Sequence, residues 1–278
     1  MERYYFDHNA TTPIAPAVLD AMLPYLRAHF GNASSIHQEG QAAKQALERA
    51  RRQVAAYLGC SPKEIVFTSG GTEADNLATL GVDGHVVSST IEHPAVLAAL
   101  KTRGDVTLVA PDNRGVISPD AVRAAVRSNT ALVSIMHANN ELGVVQDIAA
   151  FAEISHDAGA LFHSDGVQAC GKIGVDLRGI DLYSISGHKL NAPKGVGALF
   201  VREGVDLVPR LFGGRHESGR RAGTESIPLA VALGAACSLP REDYSALRDR
   251  LEEGILRNVP DTVLNAAGAL RVPHTANI

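Results

Sequence analysis

The stretch Ile180-Asp181-Leu182-Tyr183-Ser184-Ile185-Ser186-Gly187-His188-Lys189 reads as an apolar strand that runs into small polar residues and ends on a lysine. The carboxyl end of a strand is where parallel-sheet proteins put their chemistry. An amine held there can form a Schiff base with an aldehyde cofactor. Most lysines only solvate a surface, so the reading depends on what surrounds this one.

Around it, short apolar runs alternate with longer helical patterns from about residue 40 to 235. Strands are predicted at Glu64-Ile65-Val66-Phe67-Thr68, His85-Val86-Val87-Ser88-Ser89, Asp105-Val106-Thr107-Leu108-Val109, Ala131-Leu132-Val133-Ser134-Ile135-Met136, Ala160-Leu161-Phe162-His163 and Gly197-Ala198-Leu199-Phe200-Val201, besides the one before Lys189. A helix is predicted from Gln41 to Leu58, where Ala43, Leu47, Ala50, Val54 and Leu58 recur at helical spacing. Another begins at Ser118-Pro119, an N-cap followed by proline at the first helical position. Strands that are apolar on both sides need helices on both faces of the sheet. The chain is therefore expected to be an α/β protein with a mainly parallel sheet.

Pro240 closes that region. An amphipathic helix follows, with Tyr244, Leu247, Leu251 and Ile255 on one stripe, then a possible strand at Thr262-Val263-Leu264. Thr275-Ala276-Asn277-Ile278 reads as the opening of another strand, and an unfinished strand leaves backbone groups unpaired. The expected organisation is an N-terminal arm over residues 1–15, a large domain over 16–240, and the start of an incomplete smaller α+β domain over 241–278.

Composition narrows the function classes. With 278 residues, 45% hydrophobic and 20% charged, the chain has the make-up of a globular enzyme. A net charge of −4 offers no nucleic-acid footprint. Three widely spaced cysteines, Cys60, Cys170 and Cys237, form neither a disulfide framework nor a metal-ligand pattern. Met1 to His8 lacks the apolar core of a signal peptide, and no apolar run approaches the roughly 20 residues of a membrane helix. A cytoplasmic protein with no membrane or nucleic-acid partner is expected.

Two upstream sites complement Lys189. In Phe67-Thr68-Ser69-Gly70-Gly71-Thr72-Glu73-Ala74-Asp75-Asn76 a strand ends, glycines allow a tight turn, and a helix starts. Free N–H groups at a helix N-terminus attract anions, although the segment is equally compatible with a plain capped turn. In Phe162-His163-Ser164-Asp165-Gly166-Val167-Gln168 the carboxylate of Asp165 follows an apolar strand. It can pair with a protonated pyridine nitrogen, or it can simply cap the next helix. A phosphate cradle, a ring-nitrogen partner and an imine-forming amine, all at strand ends of one sheet, are the minimum that pyridoxal phosphate (PLP) requires. His93, in Glu92-His93-Pro94, can stack on such a ring or move protons, or else cap a helix. Asn140 can bond the phenolic oxygen, while its neighbour Asn139 orders the turn.

With these residues in place, the chain resembles the cysteine desulfurases, PLP enzymes of the class V aminotransferase superfamily. The resemblance runs through Asp7-His8-Asn9-Ala10-Thr11-Thr12-Pro13, Phe30-Gly31-Asn32-Ala33-Ser34-Ser35-Ile36-His37, Phe67 to Glu73, His137-Ala138-Asn139-Asn140-Glu141, Ser186 to Lys189 and Arg221-Ala222-Gly223-Thr224. It implies the type I PLP fold, with seven mainly parallel strands sandwiched by helices. It implies that Lys189 holds the cofactor and moves the α-proton, that Asp165 holds the pyridine nitrogen, and that Gln168 and Asn140 hold the phenolic oxygen. It further implies that Gly71, Thr72, Ser186 and His188 bind phosphate, that His93 stacks on the ring, and that Thr224 reaches the phosphate of a partner subunit in a homodimer. The implied reaction takes sulfur from L-cysteine, giving alanine and a persulfide for a sulfur carrier or iron–sulfur scaffold.

The chain also departs from the family pattern. The family nucleophile is a cysteine on a mobile loop beyond the point this chain reaches, and so is the arginine that holds the substrate carboxylate. Cys170, two residues past Gln168, reads as a small buried hydrophobe. Ser164 and Gly166 beside Asp165, and Arg215 and Ser218 before Thr224, are local substitutions. By these departures the 278-residue chain is expected to bind PLP without making a persulfide by itself. A selenocysteine lyase, a class V aminotransferase, and a non-catalytic dimerising or sulfur-carrier docking partner are the competing readings.

Overall fold

A computed structural model describes residues 4–278; residues 1–3, the start of the expected arm, lie outside it. Two helices, α1 (Pro16–Arg27) and α2 (Gln38–Leu58), lead into an alternation of strands and helices: β1 (Ile65–Thr68), α3 (Gly71–Leu80), β2 (His85–Ser89), α4 (Pro94–Lys101), β3 (Val106–Val109), α5 (Pro119–Ala125), β4 (Thr130–Ser134), α6 (Ile148–Asp157), β5 (Leu161–Asp165), β6 (Leu182–Ser186) and β7 (Gly197–Val201). Helices α7 (Ile227–Cys237) and α8 (Ser245–Asn258) follow.

The strands form one seven-stranded sheet in the order β1-β7-β6-β5-β4-β2-β3. Strand β7 pairs antiparallel with both β1 and β6, and the other pairings are parallel. This is the mainly parallel sheet read from the sequence. Alternation along each strand sorts side chains to two cores. Ile65, Phe67, Val87, Val133 and Phe162 pack with α1, α2, α6 and α7, whereas Val66, Val86, Leu132, Leu182 and Leu199 pack with α3 and α4. Each large apolar side chain buried this way contributes roughly 1.5–3 kcal/mol. Edge strand β3 is the most open of them, with Leu108 45% exposed.

Helix α2 forms because its small apolar residues recur on one face, Ala43, Ala46, Leu47, Ala50 and Val54 all being buried. Its first turn is capped by the His37 ring, and Gly59 ends it at φ 70°. Helix α7 carries no polar face and lies against α1 and α2 in the larger core.

The C-terminal part differs from the expectation. Thr262-Val263-Leu264 is not a strand, and neither is Thr275–Ile278. Asn265 and Asn277 instead bond each other through backbone (3.0 Å) and side chains (2.7 Å). Nearby, Val145 N–H donates to Leu270 C=O and Val272 N–H to Gly143 C=O, both at 2.8 Å. Part of the tail thus folds onto the loop after β4, with Leu270 and Val272 bonded there through their backbone. Of the apolar stripe of α8, Tyr244, Leu247 and Leu251 are 42%, 62% and 45% exposed, and Ile255 is half-buried. The buried residue of that helix is Glu252, held by Arg271 at 2.6 and 2.8 Å.

Candidate active site

At the carboxyl ends of β1, β2, β4, β5 and β6 the connecting segments enclose a cavity of about 370 Å³. Its lining includes Gly71, Thr72, His93, Asn140, Asp165, Gln168, Ser186, His188 and Lys189, every site residue expected from the sequence except Thr224. Thr224 is exposed, on the segment between β7 and α7.

One end of the cavity is an anion cradle. Strand β1 stops at Thr68, and Gly70, at φ 155°, turns the chain into α3. The first bond closing α3 is Ala74 N–H to Gly70 C=O, so the amides of Gly71, Thr72 and Glu73 precede the helical ladder and carry the positive end of its dipole. A side chain at Gly71 would come 2.9 Å from Val167 Cγ2 and 3.4 Å from Ser186 Cβ, so only glycine leaves this corner open. Ser186 and His188 complete the rim from the β6 side.

Asp165 is the last residue of β5, one position earlier than a residue past the strand, and it is buried. Burial raises its pKa, opposed by a hydrogen bond from Val167 N–H (2.9 Å) and by the charges of His93 and Lys189. That bond is a local turn of the type expected from a capping Asp, yet the same carboxylate also lines the cavity. A second carboxylate, Asp75 of α3, lies on the cavity wall with Oδ1 buried and unpaired among the described residues. Burial and the charge of Asp165 push its pKa well up. Buried His163 stands 3.7 Å from it and bonds Ser134 (2.8 Å) and Ser184 (3.0 Å); burial lowers its pKa to about 3, so the ring is neutral.

Lys189 follows β6 in a short 3-10 turn. Its amine donates to the main-chain carbonyls of Asn9 and Ala10 (3.1 Å to the latter). Burial lowers its pKa, partly offset by Asp165 and Asp7. The N-terminal arm crosses the mouth here. Thr12 binds the His188 carbonyl through amide and hydroxyl, and Asn9 accepts from Gln168 (2.9 Å) and donates to Asn140 C=O (3.2 Å) and Thr275 Oγ1 (3.0 Å).

His93 caps a helix, as one of its sequence readings had it, and also reaches the cavity. Its Nδ1 accepts from Ala95 N–H at 3.1 Å as the cap of α4, and the ring lines the cavity. In the loop after β4, Asn139 Oδ1 accepts from the amides of Glu141 and Leu142, leaving Asn140 on the cavity wall.

Asn9, Asp75 and Lys194 were not singled out from the sequence. Asn9 had a signal, since it sits in the Asp7–Pro13 motif. Asp75 had a subtler one: a carboxylate beside Ala74 and Ala78 on a helix that packs against a sheet. None of the cysteines lines the cavity. Burial pushes the thiols of Cys60 and Cys170 up to about 12 and that of Cys237 higher still. Cys170 packs in the larger core as a hydrophobe, as its position suggested.

Comparison with known proteins agrees with this geometry. The aminotransferase class-V family matches residues 4–275. A cysteine desulfurase of Gluconacetobacter diazotrophicus is 47% identical over all of this chain and 75% of its own length. The cysteine desulfurase IscS of Methanosarcina thermophila is 44% identical over 99% of this chain and 72% of its own. Among solved structures, SspA in complex with cysteine superposes with a TM-score of 0.89 at 39% identity, over 96% of this chain and 81% of its own. A NifS-like protein superposes with a TM-score of 0.93 at 35% identity, over 98% and 80%. The chain thus spans about three quarters of the length of these curated relatives.

Proposed function

The chain belongs to the class-V aminotransferase family, and we propose that it is a PLP-dependent cysteine desulfurase, taking sulfur from L-cysteine and leaving L-alanine. The observation that carries this reading is the convergence of the Gly71 cradle, the Asp165 carboxylate and the Lys189 amine on one cavity of about 370 Å³.

The residues present fit the cofactor. The open corner at Gly71, which a Cβ would fill, and the unladdered amides of α3 suit a phosphate. The buried carboxylate of Asp165 suits a protonated ring nitrogen, and Asn140 and Gln168 supply amides for a phenolic oxygen. When bound, PLP supplies an aldehyde for amines and a cationic ring that accepts an electron pair from a neighbouring Cα.

This chain's residues do the remaining work. Lys189 would hold the cofactor through its aldehyde, and its free amine would take up the substrate Cα proton and deliver it elsewhere. Its lowered pKa keeps a larger share of it in the neutral, basic form. Asp165, fixed by the Val167 amide, keeps the ring nitrogen protonated. His93, whose Nδ1 accepts from the Ala95 amide and whose ring lines the cavity, would cover the ring face.

Sulfur removal needs a thiolate that attacks the substrate sulfur. The S–S bond forms as Cβ–S breaks, its electron pair stays on Cβ, and Cβ then takes a proton to give alanine. Cys60, Cys170 and Cys237 are off the cavity and held as thiols, so the acceptor is none of them. These residues serve to hold PLP and activate L-cysteine, and the sulfur passes to a thiol other than these three. Exposed Thr224 serves the phosphate of a second copy, making the working unit a homodimer, and the sulfur goes on to a carrier or an iron–sulfur scaffold. The free thiols suit a reducing cytoplasm.

The test is alanine formation from L-cysteine by the PLP-loaded chain with dithiothreitol as the thiol, beside exchange of the substrate Cα proton in D2O. Both are expected, and both are expected to vanish in Lys189→Ala. A loaded chain that does neither would overturn the reading.

A further inference from the structure

The cradle carries a charge that works against its own ligand. Glu73 stands in the first turn of α3, lines the cavity, and its Oε2 accepts from Ser69 N–H at 2.7 Å, in the turn that forms the cradle. A carboxylate there stabilises the helix end. It also repels a phosphate and takes up an amide beside the one the phosphate would use.

The residue that answers this charge comes from far along the chain. Arg221, on the segment between β7 and α7, donates Nε to Glu73 Oε1 at 2.7 Å and Nη2 to Oε2 at 3.2 Å. The pair is about four-fifths buried, with side-chain exposures of 19% and 23%. Burial works to raise the Glu73 pKa, but the bonds from Arg221 and Ser69 outweigh it, so Glu73 stays ionised. The same segment is pinned a second time by Glu217, which accepts from Arg51 and from the Phe67 amide. Arg221 is therefore held on Glu73 by a segment that is itself anchored, through Glu217, to β1 and α2.

We propose that Arg221 is a positioning residue for the cofactor phosphate: by pairing with Glu73 and neutralising it at the cradle, it allows a dianion to bind where the chain's own carboxylate would exclude it. This deepens the PLP reading given above and rests on it.

The test compares PLP with pyridoxal, which lacks the phosphate, by the visible absorbance gained when each binds the unmodified chain and its variants. Arg221→Gln is expected to weaken PLP by roughly tenfold or more, as an uncompensated charge in a partly buried site would, and to leave pyridoxal within about twofold. Glu73→Gln, which removes the charge itself, is expected to bind PLP at least as tightly as the unmodified chain. The double variant Glu73→Gln/Arg221→Gln is expected to recover most of the loss. Equal losses for PLP and pyridoxal, or no recovery in the double variant, would show a structural role and overturn the proposal. Glu73→Gln alone keeps it testable if Arg221→Gln does not fold, because weakened PLP binding there overturns it too. Absence of any Lys189-dependent uptake by the unmodified chain would instead sink the cofactor reading, and this inference with it.

Discussion

The Arg51 guanidinium grips the Glu217 carboxylate at 2.7 and 2.8 Å, and Glu217 in turn accepts from the Phe67 amide at 2.9 Å. The Glu217 side chain is 1% exposed and its backbone sits at φ 46°, a left-handed conformation unusual for a side chain of this size. A charge pair this buried stabilises little by forming, but breaking one side of it is costly. Glu217→Gln is expected to destabilise the fold by about 3 kcal/mol, read from the urea midpoint at constant slope. A change under about 0.5 kcal/mol, the range of ordinary surface substitutions, would mean that the pair does not anchor this segment.

Gly166 and Tyr183 are matched in shape. A Cβ on Gly166 would overlap the Tyr183 ring at Cζ, Cε1 and the hydroxyl, and that hydroxyl is engaged by His137 Nδ1 at 2.7 Å. Gly166→Ala is expected to cost about 1–3 kcal/mol through overpacking. Adding Tyr183→Leu is expected to cost less than the sum of the two single changes in a double-mutant cycle. Strict additivity would show that the two residues do not share the space.

Glu92 is buried, bonded by Ser89 Oγ (2.5 Å) and Met136 N–H (2.9 Å), with Oε2 lacking a hydrogen-bond partner among the described residues. Burial raises its pKa to about 8. The folded state therefore holds a proton that the unfolded chain has already lost above its ordinary value of 4.5. Stability from this group falls as pH rises through the window from 4.5 to about 8. Glu92→Gln removes that dependence. Relative to the unmodified chain, the variant is expected to gain stability between pH 5 and pH 8, as measured by denaturant unfolding at each pH. A difference that stays flat with pH would show that Glu92 is ionised throughout.

Gly71→Ala tests the cradle from the steric side. The added methyl meets Val167 and Ser186 at the corner reserved for a phosphate. PLP binding is expected to fall by roughly tenfold, with pyridoxal much less affected. Equal effects on both would place the phosphate elsewhere.

Much of this protein was legible in its residues. Strands that are apolar on both sides, such as Leu182 to Ile185, require helices on both faces, and the sheet has them. The residues that line the cavity were visible too, because cavities in such sheets form at strand ends, and Asp165, His93 and Lys189 each lie at or after the end of a recognisable strand. The tail misled for the opposite reason. Thr262-Val263-Leu264 has strand composition, but strand pairing needs a neighbour, and the backbone nearby is bonded instead to the loop after β4 and to Asn277.

Sequence alone determined the layered sheet, the order of its elements and the identity of the groups at its carboxyl edge, since these follow from local periodicity and from where a strand must stop. Tertiary structure alone decided which distant residues meet: Arg221 on Glu73, Glu217 on Arg51, Tyr183 in the space left by Gly166, and the Asn9 carbonyl on Lys189. Those pairings join residues 17 to 180 positions apart. They are set by how the whole core closes, because short-range patterns carry no information about which charges and shapes will be brought into contact when water is excluded.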